Sequence, residues 1–122
     1  MNRDEFIKYV QNHYSEQAER PFASDQSIVV FRHSSNRKWF AVVMTIPKCK
    51  LEYGAEGTVD IANVKCDQNV LVDMIREDGI YRAYHMNKNH WLTFTLDGRV
   101  NEETQKWLTD ISFDLTSPKT RK

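Results

Sequence analysis

Nowhere in this chain of 122 residues do about 18 apolar residues run in succession, and the first ten, MNRDEFIKYV, hold no apolar stretch of the signal-peptide kind. A membrane span and a cleaved leader are therefore not expected, and the expected location is the cytoplasm. Cysteine is scarce: Cys49 and Cys66 form no CxxC pair and no paired-ligand zinc spacing, so free thiols are expected. Net charge is absent too, because Lys+Arg and Asp+Glu both total 17. A domain held to nucleic acid by its overall charge would show a basic excess, so any such affinity must come from local patches. Neither GxSxG nor HExxH occurs, and His85 and His90 stand alone, without a cysteine or carboxylate at ligand spacing. The sequence thus offers no catalytic motif, no metal site and no cofactor site.

What is present is ordinary globular material, 40% hydrophobic and 28% charged, in an amount that fills one core. We expect one domain over residues 1–117 and a short basic tail at 118–122. Asn2 and Glu5 form a capping box before Phe6, Tyr9, Val10 and Tyr14, which predicts a helix over residues 3–17. IVVFRH, WFAVVMTI and VDIANVKC read as strands, the first two as a hairpin around SSNRK. Asp67 caps a second helix that Gly79 closes, IYRAYHM and HWLTFTL are two more strands, and Asn101 opens a third helix with Trp107, Leu108, Ile111 and Leu115 as its apolar stripe. The order α-β-β-β-α-β-β-α predicts an α+β fold of two layers: a mainly antiparallel sheet with helices on one side and an open opposite face.

A strand period of two sorts the side chains. Phe40, Val42, Met44 and Ile46, with Ala62, Val64 and Cys66 and with His90, Leu92, Phe94 and Leu96, form the set expected under the helices. The opposite set, with Trp39, Asn63, Lys65, Trp91 and Thr93, mixes indoles with polar groups and has the ingredients of a recognition platform on the open face. Covering of those rings by a loop, a helix or a second subunit is the competing expectation.

The densest chemistry lies in YHMNKNHW, Tyr84 to Trp91. Lys88 supplies a point charge, Asn87 and Asn89 amides, His85 and His90 groups that donate or accept, and Trp91 a stacking surface, while Arg32, Arg37 and Lys38 would give the first hairpin a basic wing. A turn in which Asn87 or Asn89 is left-handed and His85 bonds a backbone carbonyl explains the same residues structurally.

YHMNKNHW followed by Thr93 and LDG, and preceded by VKCD before the second helix, resembles the signature of the MmcQ/YjbR family, small bacterial proteins of largely unknown function. The shared pattern comprises Lys65, Cys66, Asp67, His85, Met86, Asn87, Lys88, His90, Trp91, Thr93, Asp97 and Gly98; Gln68 stands where the family often has proline, and the link from Pro47 to Thr58 is long. The resemblance implies a fold similar to secretion chaperones and frataxin-type CyaY proteins, and a DNA-binding role argued from wing-like geometry. The leading expectation is a non-catalytic module contacting DNA through Lys65, His85, Asn87, Lys88, His90, Trp91, Arg32, Arg37, Lys38 and Trp39. A chaperone-like protein-interaction module using the open sheet face or the first helix, and a ligand binder or enzyme around His85, Asn87, Lys88 and His90, are the alternatives.

Overall fold

A computed structural model describes residues 1–118, so the expected basic tail lies, apart from Pro118, outside the described residues. Helix α1 (Arg3–Tyr14) begins with the reciprocal cap: Asn2 Oδ1 accepts from the Glu5 N–H at 2.9 Å and Glu5 Oε1 accepts from the Asn2 N–H at 3.0 Å. It stops at Tyr14 rather than residue 17 because Ser15 turns left-handed, with φ 56°. Strands β1 (Val29–Arg32), β2 (Trp39–Pro47), β3 (Thr58–Lys65), β4 (Ile80–Arg82) and β5 (Trp91–Thr95) form one antiparallel sheet ordered β1-β2-β3-β5-β4. Helix α2 (Gln68–Met74) follows its Asp67 cap, and α3 (Glu102–Thr116) its Asn101 cap. Gly79 does not cap α2; with φ 83° it lies in the turn into β4, where an added Cβ would come within 2.9 Å of Thr95 and Val100 side-chain atoms.

The fold is α+β in the predicted element order. Phe6 and Val10 of α1, Leu71 of α2 and Leu108 of α3 share one core with Phe31, Ala41, Val43, Ala62, Val64, Leu92 and Phe94 of the sheet. Each of the buried Val, Leu and Phe side chains contributes roughly 1.5–3 kcal/mol by leaving water.

The facing of β2 corrects the sequence reading. Phe31 pairs with Ala41 and Arg32 with Trp39, so Phe40 is an extra residue, a bulge. Phe40 and Ala41 both join the helix-side core, and the alternation beyond them shifts by one. Val42, Met44 and Ile46, expected under the helices, lie instead opposite Asn63, Ile61 and Val59 on the other face. The bulge leaves polar backbone without a strand partner, and α3 supplies one: Ser112 Oγ donates to the Phe40 carbonyl at 2.5 Å and accepts from the Lys65 N–H at 2.8 Å.

That contact explains a second correction. The buried face of α3 is Gln105, Leu108, Thr109, Ser112 and Thr116, while Trp107 and Leu115 are 49% and 46% exposed. Close approach to the sheet favours small hydroxyls, and those of Thr109 and Thr116 donate to carbonyls one turn back. His33 is buried beside Phe40 and Phe113 with Nε2 2.7 Å from Thr116 Oγ1, and burial holds its imidazole below the usual histidine range. Folding therefore favours the neutral ring, and the unfolded chain binds more protons below its pKa of about 6.5. Stability is expected to be full above that pH and to fall as the solution becomes more acidic; thermal melts at stepped pH check it, with His33→Gln flattening the acid-side decline.

The second face is not open. Ile46, Val59 and Ile61 lie under Met44, Leu51 and Tyr84, and Asn63, Thr93 and Thr95 are fully buried. The cover comes from the loop after β2, a single 3-10 turn at Lys48–Lys50 and the chain to Gly57, and from the segment after β4. Arg99 pins the loop: it bonds Glu52 and Tyr81 through Nη1 (3.1 Å to Tyr81) and Asp97 through Nε at 3.0 Å, while Tyr81 donates to Glu52 at 2.7 Å. The tyrosine hydroxyl, with the guanidinium beside it, holds the Glu52 carboxyl below its ordinary pKa. Arg99→Gln is expected to loosen residues 48–57 and to speed proteolytic nicking there well before global unfolding; an unchanged cleavage rate would refute the pin.

Candidate functional site

Tyr84 carries the geometry of the YHMNKNHW stretch. Its N–H donates to Thr93 Oγ1 at 2.9 Å and its carbonyl accepts from Asn63 Nδ2 at 3.0 Å, while the Thr93 hydroxyl donates to Asn63 Oδ1. Two fully buried polar side chains, from β3 and β5, thus clamp one backbone unit against the sheet. They take no part in an open platform. His85 follows in a left-handed conformation, φ 59°, with its ring edge-on to that of Tyr84 at 4.0 Å. For a residue with a Cβ this backbone costs on the order of 1–3 kcal/mol, held by the clamp beside it.

The chain returns through an Asx turn. Asn87 Oδ1 accepts from the Asn89 N–H at 2.9 Å, and the Asn87 carbonyl accepts from His90 and Trp91 N–H at 3.1 and 2.9 Å. Asn87 is thereby a turn residue, and the left-handed residue is His85 rather than either asparagine. The His90 carbonyl accepts from the Cys66 N–H at 2.9 Å, and Lys65 stands opposite Trp91 in the ladder. VKCD and HMNKNHW are therefore neighbours in space. The Cys66 thiol is buried, which pushes its pKa up to about 11, and Cys49 is exposed.

A cleft of about 400 Å³ opens where these segments meet the loop after β2. Its walls are Lys50 and Leu51 from that loop, Arg82 at the end of β4, and Ala83, Tyr84, His85, Met86 and Lys88. Arg82 Nη1 reaches the Lys88 carbonyl at 3.4 Å across it. Lys50, Arg82 and Lys88 are exposed, and among the described residues no carboxylate lies within ion-pair distance of them. A concave surface lined by one sign of charge focuses its field on anions. Another cleft, of about 330 Å³ between α2 and the start of α3, contrasts with it: Glu77 and Asp78 line it, and Arg99, its one cation among the described residues, is already engaged by Asp97 and Glu52.

Of the residues singled out in the sequence, His85 and Lys88 line the basic cleft, while Lys65 and Trp91 face each other in the β3–β5 ladder and are not among its walls. His90 is exposed at the turn, not under the helices. The first hairpin lies elsewhere and is partly neutralised: Arg32 and Arg37 reach Glu19 at 3.1 and 3.7 Å, Trp39 packs edge-on to Phe22, and Lys38 alone of that wing is an exposed cation with no such partner among the described residues. Lys50, Leu51 and Arg82 were not anticipated, and Tyr84 and Met86 stood in the singled-out stretch without being named as contacts. Only the loop's fold over the sheet brings Lys50 within reach of Lys88, and no spacing in the chain announces it. Among the described residues no three His, Cys, Asp or Glu side chains group as metal ligands, and no helix is long and apolar enough to cross a membrane.

A family model described as YjbR matches residues 13–115. The Bacillus subtilis (strain 168) protein YyaQ, described as uncharacterized, is 30% identical over 117 residues, covering 95% of this chain and 98% of that one. The crystal structure of a Pseudomonas syringae protein, a structural-genomics target, is 38% identical with a TM-score of 0.93, covering 96% of this chain and all of that chain. A Deinococcus radiodurans protein with a domain of unknown function, 23% identical with a TM-score of 0.68 over 93% of this chain and 77% of that one, shares the fold.

Proposed function

This chain belongs to the YjbR family, and on that footing we propose that it is a non-catalytic, cytoplasmic nucleic-acid-binding module, with DNA its leading partner, whose contact surface is the cleft formed by residues 50–51 and 82–88. One observation carries this reading: in a chain of zero net charge, Lys50, Arg82 and Lys88 gather around one concavity without carboxylate partners among the described residues. Local concentration of cations is what a neutral protein needs to hold phosphate. The role as a binding module rather than an enzyme is supported by the occupation of the polar groups nearby, since Asn63, Thr93 and Asn87 spend their hydrogen bonds on holding the segment in place. Of the two contact regions expected from the sequence, the first hairpin and the HMNKNHW segment, the second is kept and the hairpin is dropped, because Glu19 competes for Arg32 and Arg37.

Anisotropy of labelled single- and double-stranded DNA, titrated in rising salt, tests the proposal. Affinity is expected to fall steeply and log-linearly with salt; undetectable or salt-independent binding would remove it. A protein-partner reading is favoured by a different surface, the exposed Trp107 and Leu115 of α3, and not by the sheet face, which is covered.

A further inference from the structure

We infer that the cleft takes one unstacked nucleotide, so that single-stranded nucleic acid rather than duplex is its ligand; this rests on the nucleic-acid reading above. The walls divide by chemistry. Leu51, Tyr84 and Met86 offer apolar and aromatic surface, and Lys50, Arg82 and Lys88 are exposed cations of the same cleft. A flat base carried on a phosphate matches both halves at once, whereas the outside of a duplex presents phosphate with its bases already stacked and hidden. The volume, about 400 Å³, lies within the range of pockets that enclose small molecules.

Shape argues the same way. Reading a duplex groove commonly needs a projecting α-helix or ribbon, and among the described residues no α-helix borders this concavity, whose walls are the loop after β2 with its single 3-10 turn, the end of β4 and the turn beyond it. The aromatic wall is preorganised: the Tyr84 backbone is clamped at both its N–H and its carbonyl, its ring packs on the Ile46–Val59–Ile61 cluster, and the His85 ring braces it edge-on. Met86, half-buried and unbranched, can conform to any of the bases, which fits binding without sequence preference.

The test compares three labelled ligands of equal length by anisotropy: an oligothymidylate of about 12 residues, its duplex with oligodeoxyadenylate, and an abasic deoxyribose-phosphate oligomer. Thymidine monophosphate serves as a competitor. The single strand is expected to bind about tenfold more tightly than either the duplex or the abasic chain, as the loss of one stacked base predicts. Tyr84→Ala should weaken only the base-bearing strand, and because that ring also packs on the sheet, Met86→Ala provides the variant that leaves the fold intact. It should cost several-fold for oligothymidylate and nothing for the abasic chain. Equal binding of the abasic chain, or duplex binding as tight as single strand, overturns the nucleotide slot and leaves the nucleic-acid reading standing. Capture of the mononucleotide with no oligomer bound overturns the nucleic-acid reading and keeps the slot. No binding of any ligand overturns both.

Discussion

Asn63→Leu is expected to destabilise the protein by about 2–6 kcal/mol, among the largest effects of any single change near the cleft. The side chain is fully buried, donates to the Tyr84 carbonyl and accepts from the Thr93 hydroxyl. Leucine fills similar volume but abandons both partners, and each buried polar group left without one costs roughly 1–3 kcal/mol. Thr93→Val should be of the same order, since it strands the Tyr84 N–H and Asn63 Oδ1. The double variant should cost less than the sum, because the two share one network. Urea unfolding of the four proteins measures this, and a midpoint for Asn63→Leu equal to the parent's would mean that the clamp does not hold Tyr84. Partial loss has a functional signature as well: once Tyr84 is released, His85 no longer has a reason to stay left-handed, and nucleic-acid affinity should fall even where the fold survives.

The second large effect concerns charge. The variant carrying Lys50→Gln, Arg82→Gln and Lys88→Gln is expected to lose about 100-fold in affinity for single-stranded DNA near 0.1 M salt, with the salt slope shallower by about 2. The magnitude follows from counterion release of about 0.7 per neutralised phosphate on a single strand, for three contacts. All three side chains are exposed and none is in an ion pair among the described residues, so melting should be unaffected. Arg32→Gln with Arg37→Gln provides the contrast. These arginines already face Glu19, and their removal should change affinity by less than about threefold. Equal losses from the two sets would return the contact to the first hairpin.

The residue types of the chain determined its elements. The Asn2–Glu5, Asp67 and Asn101 caps start each helix where a side-chain oxygen can meet orphan N–H groups, and β-branched runs mark the strands. These are local effects, complete within a few residues, and the same holds for the family motif, which is a stretch of chain. Which face a strand turns to the core is also local until something interrupts the period. The bulge at Phe40 is that interruption, and it depends on Ser112, 72 positions away, bonding the carbonyl it exposes. One inserted residue inverted every later assignment on β2.

The apolar stripe of α3 misled for a related reason: hydrophobicity predicts burial only where space admits a large side chain, and close contact with the sheet admitted hydroxyls and left Trp107 outside. The cleft depended wholly on tertiary structure. His85 and Lys88 were visible as an unusual run, but whether their neighbours bind a ligand or bind backbone turns on Asn63 and Thr93, two strands that meet only in the folded sheet, and on a loop that carries Lys50 across it. Charge adds over space, not over sequence, so a chain with equal acids and bases can carry a wholly basic cavity, and only folding decides where it lies.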